Sequence, residues 1–274
     1  MLLNGRLVDR YRFAALFDAA GSEPVIRALH AYQNEDGGFG NGIEPDIRGA
    51  SSQPVGAEQA LRILDEVGHF DPDIVGRLCD WCAGVATAEG GLPFALESIT
   101  DGPRAPWWQP STDASLNPTA AIVGLLHRAG VEHDWVSIAN DFCWSVLADG
   151  ASELTEHDAL CVLEFLRSPS DPALADRTIG SLRTRVLDDL VTNDPQTIGY
   201  VMSPLKFAPT PQHLARSWFD DNLIEYHLDV LQDAQAPDGG WPISWEPPTG
   251  AAAGEWRGKV TIDSLLVLRS YDRL

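Results

Sequence analysis

Two copies of one short pattern decide the fold: "YQNEDGGFG" (32–40) near one end of the chain and "AQAPDGGWP" (234–242) near the other. Each copy has Gln, three residues, Gly, any residue and an aromatic ring, and each follows an amphipathic run. Glycine accepts positive φ, so the glycine pair permits a sharp turn. The Gln amide can bond the backbone at the end of the preceding helix, and the ring can pack on the next repeat. The pattern therefore predicts a repeated unit in which two helices meet at a glycine turn.

Related turn signals recur between these two copies at intervals of roughly 40 to 60 residues, a period typical of helical repeats. They stand at "EGGLPF" (89–94), "ADGASEL" (148–154) and "NDPQTIGY" (193–200). The runs before the turns, such as 218–235, mix apolar and acidic residues with helical spacing, which predicts outer helices that are wet on one face. The runs after the turns are apolar nearly all round, which predicts buried helices. These runs are 54–64, 118–126, 158–166 and 261–268.

Outer helix, turn and buried helix alternate about five times, and buried helices that each touch two neighbours close most simply into a barrel. We therefore predict an all-α fold: an α/α toroid of about five to six hairpins, with an inner barrel of apolar helices ringed by outer helices. No low-complexity linker interrupts the chain, so residues 1–274 are predicted to form one domain. The fourth unit departs from the pattern, because 200–214 holds three prolines. We expect a broken helix or a long loop there, lining a mouth.

Charge and hydropathy exclude several classes of partner. Forty Asp and Glu residues against nineteen Lys and Arg give a formal net charge of −21, which repels phosphate backbones, so no nucleic-acid partner is predicted. Only two of the basic residues, Lys206 and Lys259, are lysines. No stretch approaches the roughly 18 consecutive apolar residues of a membrane span, and residues 1–13 lack the apolar core of a signal peptide. We expect no membrane span and a cytoplasmic location, and the oligomeric state stays unknown.

The four cysteines are too few and too irregularly spaced for a disulfide framework, so we expect reduced thiols. Cys79 and Cys82 have the spacing of a zinc or redox pair, but they lie in a predicted helix with no second pair nearby, which favours buried thiols. His157 and Cys161, four residues apart on a predicted buried helix, could form half of a metal site, but packing is the favoured interpretation. We therefore predict no metal and no other cofactor.

The two strict repeats resemble a known superfamily. Residues 29–39 follow Leu-x3-Gln-x3-Gly-x-Phe and residues 231–241 follow Leu-x3-Gln-x3-Gly-x-Trp, similar to the QW repeats of squalene cyclases and protein prenyltransferases. The central repeats are degenerate, with Ala86 where Gln would stand and Leu92 where the ring would stand. The resemblance is to a short, divergent bacterial member. It implies an α/α toroid whose central cavity, in relatives, holds an isoprenoid substrate.

The catalytic motifs of those relatives are not retained. Triterpene and class II diterpene cyclases protonate an alkene with an Asp-x-Asp-Asp-Thr-Ala type motif, whose nearest match here is "SLNPTA" (115–120). Asn117 and Pro118 replace the two acids, and Asp113 lies four residues before Asn117. The Asp-x-Cys spacing of prenyltransferase zinc ligands occurs at 141–143, but within a predicted outer helix. The Cys-Gly and Cys-His-Gly ligand motifs of zinc-dependent lanthionine cyclases, which share the toroid, are absent. The family chemistry therefore cannot be transferred residue by residue.

Polar groups before the buried helices are the remaining site candidates. The densest cluster is "NGIEPDIRGASSQP" (41–54), which contains Glu44, Asp46 and Arg48. Two carboxylates at this spacing can act as an acid/base pair if burial raises one pKa, so Glu44, Asp46 and Asp113 are the predicted catalytic residues. The alternative is a capped loop in which Glu44, Asp46 and Arg48 form salt bridges.

Aromatic and polar residues near the same helix starts are candidates for substrate binding. Trp107 and Trp108 stand on a predicted loop before Asp113. Trp245 and Trp256 stand in 241–263 with Glu246, Glu255, Arg257 and Lys259, just before the last predicted buried helix. Aromatic walls stabilise cations or stack on sugar rings, although packing within the rim is an equal alternative. The complete set of predicted binding residues is Arg48, Trp107, Trp108, Asn117, His157, Tyr200, Trp245 and Trp256.

Three functions remain open at this point. The first is an enzyme of terpenoid cyclase or prenyltransferase type that acts on an isoprenoid or similar apolar small molecule, by acid-initiated cyclisation or a related rearrangement. The second is a carbohydrate-active enzyme, since α/α barrels also hold carboxylate pairs with aromatic platforms. The third is a non-catalytic binding or scaffold protein that kept the fold alone. An apolar, ring-lined cavity favours the first, a polar groove the second, and a filled cavity the third.

Overall fold

The computed structural model describes residues 5–148, 150–151 and 153–274, and it confirms the all-α prediction. Residues 149 and 152 of the predicted turn at 148–154 lie outside the described residues. The α-helices are α1 Leu7–Phe17, α2 Glu23–Leu29, α3 Pro54–Glu66, α4 Pro72–Val85, α5 Leu116–Arg128, α6 Asp134–Leu147, α7 Glu156–Phe165, α8 Pro172–Arg185, α9 Pro204–Phe207, α10 Asp221–Asp233 and α11 Gly250–Ser270. A short antiparallel pair, β1 Leu92–Pro93 and β2 Ala114–Ser115, precedes α5.

One turn geometry recurs between an outer helix and the segment that follows it. Gly37, Gly90 and Gly239 have φ values of 92°, 92° and 84°, a region that side chains with a Cβ rarely occupy. Each of these glycines donates its N–H to the carbonyl three residues earlier, at 3.0, 2.9 and 2.8 Å. The turn at Gly90 thus keeps the geometry, although Ala86 and Leu92 stand where the Gln and the aromatic ring of the strict repeats would be.

The glutamines of the two strict repeats close these turns. Gln33 and Gln235 each donate Nε2 to the carbonyl of the positive-φ glycine four residues later, at 3.0 Å. Gln33 also donates to the carbonyl of Ile74 in α4, at 3.0 Å, so it joins two consecutive outer helices. In the middle turn the indole N–H of Trp135 in α6 donates to Gly90 instead, at 3.0 Å. A side chain from the next outer helix therefore replaces the missing glutamine.

Helix starts follow the local signals with one exception. Pro54 opens α3, and Thr155 and Asp158 form the predicted capping box of α7. The predicted break in the fourth unit is also confirmed, because the single-turn helix α9 is the only helix within residues 200–214. The exception is α11, which begins at Gly250 under a Thr249 cap rather than near residue 261. The residues predicted to stand just before the last buried helix, Glu255 to Lys259, lie inside it.

Contacts between alternate helices form a closed circuit. α5 packs against both α3 and α7, and α7 against α9. Arg12 of α1 pairs with Glu66 of α3 at 2.7 Å. The Tyr271 hydroxyl, just after α11, donates to the carbonyl of Ala208 after α9 at 2.8 Å, and α11 packs on α1. A circuit through α1, α3, α5, α7, α9 and α11 is what an inner barrel requires, and it favours the predicted toroid.

The inner helices are not uniformly apolar, which corrects the sequence-based expectation. α5 is buried over nearly its whole length, but α3 carries Glu58 and Arg62 and α7 carries Glu164. Arg62 bonds Glu58 at 2.8 Å and Glu164 at 3.4 Å. Buried charges are tolerated when they are paired. Glu58 and Arg62 are four residues apart on α3, but Glu164 lies on α7, so the sequence did not reveal the pairing between the two helices.

Candidate functional site

Glu44 and Asp46 lie on the loop between α2 and α3 and are almost fully buried, with 4% and 2% of their surface exposed. The apolar residues around them explain the burial. Ile43 and Ile47 are core residues on either side of the pair, so the intervening loop is drawn inward with them. Arg6 fixes the backbone by donating to the Ile43 carbonyl at 2.6 Å. The sequence prediction that these two carboxyl groups could be shielded from water is consistent with this geometry.

Of the two carboxyl groups, that of Glu44 has the more strongly shifted pKa. Burial, followed by the charge of Asp46, raises the pKa of Glu44 to about 8, and Lys259 and Arg6 oppose the shift only in part. The side chain therefore holds a proton at neutral pH. Among the described residues, the Glu44 carboxyl accepts one hydrogen bond, a weak one from the Asp46 N–H at 3.5 Å. Glu44 also lines a cavity of about 10 Å³, a size that accommodates a single water molecule.

Asp46 is held by a residue from the far end of the chain. The indole Nε1 of Trp256 donates to Asp46 Oδ1 at 2.8 Å. Burial raises the pKa of Asp46, and this hydrogen bond lowers it. Arg48, the third member of the predicted salt-bridged loop, pairs with Glu255 of α11 at 2.5 Å. The salt-bridge alternative is therefore wrong for this arginine, because α11 supplies its partner, and no arginine neutralises the buried carboxyl pair within the described residues.

A series of aromatic rings extends from Trp256 of α11 to His157 of α7. Trp256 contacts Trp245 edge-on, with centroids 4.9 Å apart, and Trp245 contacts Tyr200 edge-on at 5.8 Å. Tyr200 stacks on His157 of α7 at 5.8 Å, and its hydroxyl lies 3.0 Å from His157 Nε2. Asn117 contacts the same helix, since its Oδ1 accepts a hydrogen bond from the Cys161 thiol at 3.7 Å, one turn after His157.

Within the described residues, three predicted site residues contact neither the carboxyl pair nor the series of aromatic rings. Trp107 is 48% exposed. Trp108 belongs to a small separate apolar cluster and stacks on Phe94 at 4.8 Å, so the packing alternative holds for it. Asp113 is exposed on the loop before β2, where its N–H bonds Ser111 Oγ at 3.2 Å. The residues of the predicted cluster at 241–263 do not all lie together, because Arg257 pairs with Asp238 in the preceding turn at 2.5 Å.

Sequence reasoning missed several charged residues on the inner barrel. Lys259 pairs with Asp263 at 2.8 Å on one face of α11, and the Arg62 side chain keeps 31% of its surface accessible beside the buried Glu164. Lys206 on α9 is exposed, although protein surrounds it closely enough that burial lowers its pKa. The i, i+4 spacings of Lys259 with Asp263 and of Arg62 with Glu58 were signals available in the sequence.

The thiols and histidines provide no metal centre in the part of the chain that the structure describes. All four cysteines are free and buried, as predicted, and burial raises the pKa of the Cys79 thiol to about 12. Across residues 5–148, 150–151 and 153–274, no three His, Cys, Asp or Glu side chains are grouped to hold a metal ion. Among these same residues no helix is long and apolar enough to cross a membrane.

Comparison with known proteins gives a structural likeness without a function. No protein-family profile matches the sequence, and no curated protein is detectably similar to it. One solved structure, described as a crystal structure of a protein from Actinoplanes, superposes with a TM-score of 0.61 at 15% sequence identity. The match covers 97% of this chain and 88% of that chain. At such low identity the likeness supports the fold alone.

Proposed function

We propose that this chain is an enzyme that transfers protons to and from a small molecule bound inside the ring of helices, with Glu44 as general acid and Asp46 as the second carboxylate. The observation that carries the proposal is the pair itself. Glu44 has a pKa raised to about 8, and Asp46, two residues away, is bonded by Trp256 at 2.8 Å. Adjacent carboxyl groups in unlike environments divide into a proton donor and a base, as in many acid–base enzymes.

The acidity of Glu44 favours a polar substrate. A donor whose pKa is near the working pH suits transfer to an oxygen or nitrogen atom of the substrate, or the abstraction of a proton next to a carbonyl group. An alkene is a far weaker base, and its protonation calls for a stronger acid. The charged side chains on the inner helices, among them Arg62, Lys206 and Lys259, also suit a hydroxylated or otherwise polar molecule. A sugar-like substrate is therefore the first candidate.

An isoprenoid substrate, as the QW-like pattern suggests, is the second candidate. The observation that favours it is the series Trp256, Trp245 and Tyr200, whose edges and faces meet at 4.9 and 5.8 Å. An aromatic face can stabilise a carbocation, and it can also stack on a sugar ring. The two candidates share the carboxyl pair and differ in the molecule that occupies the ring-lined space.

The test is a turnover screen of wild type, Glu44→Gln and Asp46→Asn against hydroxylated sugars, keto acids and linear polyenes, read out by mass spectrometry. Glu97, an exposed acid on a surface turn, provides the control variant Glu97→Gln, and Asp113→Asn tests the third predicted acid. We expect Glu44→Gln to lower kcat by about 10²- to 10⁴-fold, the usual contribution of a general acid. Wild-type turnover by Glu44→Gln would contradict the proposal.

The pH profile provides an independent readout. If the protonated form of Glu44 is required, kcat must fall as pH rises through about 8. A profile that is flat through this range in wild type, with an active enzyme, would remove Glu44 from the mechanism. The scaffold hypothesis gains support if no member of the three substrate classes binds or reacts.

A further inference from the structure

A cleft of about 590 Å³ lies beside the turn at Gly37, a volume in the range of pockets that hold small ligands. Its walls include Glu35 and Asp36 of the turn, Ser52 before α3, and Trp81 and Val85 of α4. The carboxyl pair of the candidate site does not line it. The cleft is therefore a second place on the molecule with room for a ligand.

The turn at Gly239 shows which group this kind of turn binds within the chain. Asp238 precedes the glycine pair, and its Oδ1 accepts a hydrogen bond from the Gly240 N–H at 3.2 Å. Arg257 of α11 donates Nη1 to Oδ2 of Asp238 at 2.7 Å and Nη2 to Oδ1 at 2.5 Å. Two such bonds from one guanidinium to one carboxylate are strong and geometrically specific. The aspartate of this turn therefore serves as a guanidinium acceptor.

Asp36 holds the same position in the turn at Gly37 but has no arginine partner. Its Oδ1 accepts hydrogen bonds from the Gly38 N–H at 2.9 Å and from the Ser52 hydroxyl at 2.8 Å. Its Oδ2 accepts none from any residue that the structure describes. The carboxylate therefore lines the cleft with one oxygen unoccupied.

No cation from the described part of the chain neutralises this side of the cleft. Arg77 of α4 reaches the turn, but it donates to the backbone carbonyls of Asn34 and Glu35 at 2.7 and 3.2 Å. Within the described residues, the carboxylates of Glu35 and Asp36 form no ion pair. The same residues contain no group of three side chains placed to hold a metal ion. The net charge of −21 also attracts cations, so an organic cation is the fitting partner.

Trp81 adds an unpartnered hydrogen-bond donor to the same cleft. Only 6% of its surface is exposed, and its ring packs on Gly38. Its indole N–H makes no hydrogen bond among the described residues. It is not sealed from solvent, because the sealed side-chain atoms without a partner are Thr87 Oγ1 and Trp108 Nε1. The N–H therefore reaches the cleft that the ring lines, where an acceptor such as a peptide carbonyl would satisfy it.

We infer that this cleft binds an arginine side chain presented by a peptide, with the guanidinium on Asp36 Oδ2 and a peptide carbonyl on the Trp81 indole N–H. The pair of Asp238 and Arg257 is the precedent within the chain for the first contact. The volume of the cleft suits a ligand larger than a guanidinium group alone. The inference goes beyond the proposed function and requires no part of the carboxyl pair.

The experiment titrates N-acetylargininamide, a guanidinium compound with a carbonyl on either side, into ¹⁵N-labelled protein and follows the indole N–H signals by NMR. Trp81→Phe identifies the Trp81 signal. We expect that signal to shift saturably, while N-acetylcitrullinamide, the neutral isostere, leaves it unchanged. The indole N–H of Trp241 bonds the Leu231 carbonyl at 2.7 Å, so its signal should stay in place. An unmoved Trp81 signal, or equal shifts with the citrulline compound, would overturn the site.

Calorimetry separates the contributions of the two contacts. Asp36→Asn keeps an oxygen for the Gly38 N–H and removes the charge, so it should weaken N-acetylargininamide binding by about tenfold or more. Trp81→Phe keeps an aromatic ring and removes the donor, which should weaken binding by about threefold or more. Asp238→Asn is the matched control, because Arg257 already occupies that carboxylate. Wild-type affinity in Asp36→Asn, or an equal loss in Asp238→Asn, would overturn the inference.

Two further probes identify the source of the guanidinium. Methylguanidinium lacks the carbonyls and N-acetyllysinamide lacks the planar guanidinium, so both should bind more weakly than N-acetylargininamide. Methylguanidinium binding of equal affinity would overturn the assignment to a peptide. Glu44→Gln should bind N-acetylargininamide with wild-type affinity whatever its turnover, so failure of the proposed function and failure of this site are distinguishable.

Discussion

The indole of Trp256 donates a 2.8 Å hydrogen bond to the carboxylate of Asp46 across 210 residues of sequence. The bond joins the loop before α3 to α11, and thus two distant parts of the chain. It also connects the carboxyl pair with the series of aromatic rings. The two sequence clusters that contain Asp46 and Trp256 are in this sense one site.

Loss of the Trp256 donor should change the ionisation of Asp46. Burial raises the pKa of Asp46 and the indole bond lowers it, so Trp256→Phe is expected to raise that pKa further. The stability loss should be about 1 kcal/mol, the usual value for one hydrogen bond. ¹³C NMR titration of the Asp carboxyl groups checks the pKa. Trp245→Phe is the matched control, because Trp245 contacts Trp256 and makes no hydrogen bond to Asp46; equal pKa shifts in both variants would refute the assignment.

Glu44 should make the folded protein less stable as pH rises. Its folded-state pKa is about 8, against an ordinary value of 4.5, so between these values the unfolded chain releases a proton that the folded chain keeps. The contribution of Glu44 is complete below pH 4.5 and is lost as pH approaches 8. Relative to wild type, Glu44→Gln should gain about 3 to 5 kcal/mol across that window.

Urea unfolding of wild type and Glu44→Gln from pH 4 to 9 measures this difference. Other groups cancel in the comparison, including His127 and His213, whose pKa values are lowered by burial and which act in the opposite direction. Glu97→Gln, at an exposed position, is the matched control variant. Parallel curves for Glu44→Gln and wild type would mean that Glu44 ionises normally.

Glu164 should be a large contributor to stability. Burial alone would raise its pKa, but Arg62, Arg167 and Arg128 outweigh burial and hold the pKa below its ordinary value. Glu164→Gln leaves the guanidinium groups without their central anion, which should cost about 3 to 5 kcal/mol at neutral pH. Because the folded pKa is lowered, the wild-type contribution is lost as pH falls through it.

Thermal and urea unfolding test the Glu164 network against a surface pair. Arg27 and Glu23 are both 65% exposed, so Glu23→Gln should cost at most about 1 kcal/mol. Similar losses in Glu164→Gln and Glu23→Gln would show that the inner network does not stabilise the barrel.

Two of the glycine turns allow the cost of backbone strain to be measured apart from the cost of a steric clash. A Cβ at Gly37 would lie 2.3 Å from the Arg77 carbonyl, whereas one at Gly239 would meet nothing within 4 Å, although both have positive φ. Gly239→Ala should therefore cost about 1 to 3 kcal/mol from strain alone, and Gly37→Ala should cost more. Gly84→Ala, within α4 and with free space around it, should stabilise by about 0.5 to 1 kcal/mol. Equal Tm values for Gly37→Ala and Gly239→Ala would contradict the close approach.

Local signals in the sequence were sufficient for most helix boundaries. Pro54 and the Thr155–Asp158 box mark helix starts because their effects depend on neighbours a few residues away. The start of α11 was missed because residues 250–260 mix alanine, glycine and charge without an apolar face. The middle turn at Gly90 was harder to recognise, because Trp135 from another helix completes it.

The candidate site was predictable only in part, since its partners come from distant segments. Glu44 and Asp46 stand out as two acids separated by one proline in the polar cluster at 41–54, but the sequence gives no indication of the Trp256 donor. Arg48 was expected to pair locally and pairs with Glu255 instead. Lys206 lay in a proline-rich segment with no regular pattern, so the single helical turn that holds it emerges only in the structure.

The most direct test of the central claim is the protonation state of Glu44, measured by ¹³C NMR of the Glu carboxyl groups, with Glu44→Gln identifying the signal. The proposed site predicts one Glu carboxyl that is protonated at neutral pH, titrates near pH 8 and disappears in Glu44→Gln. If every Glu carboxyl titrates near its ordinary value, the acid–base site proposed for this chain is contradicted.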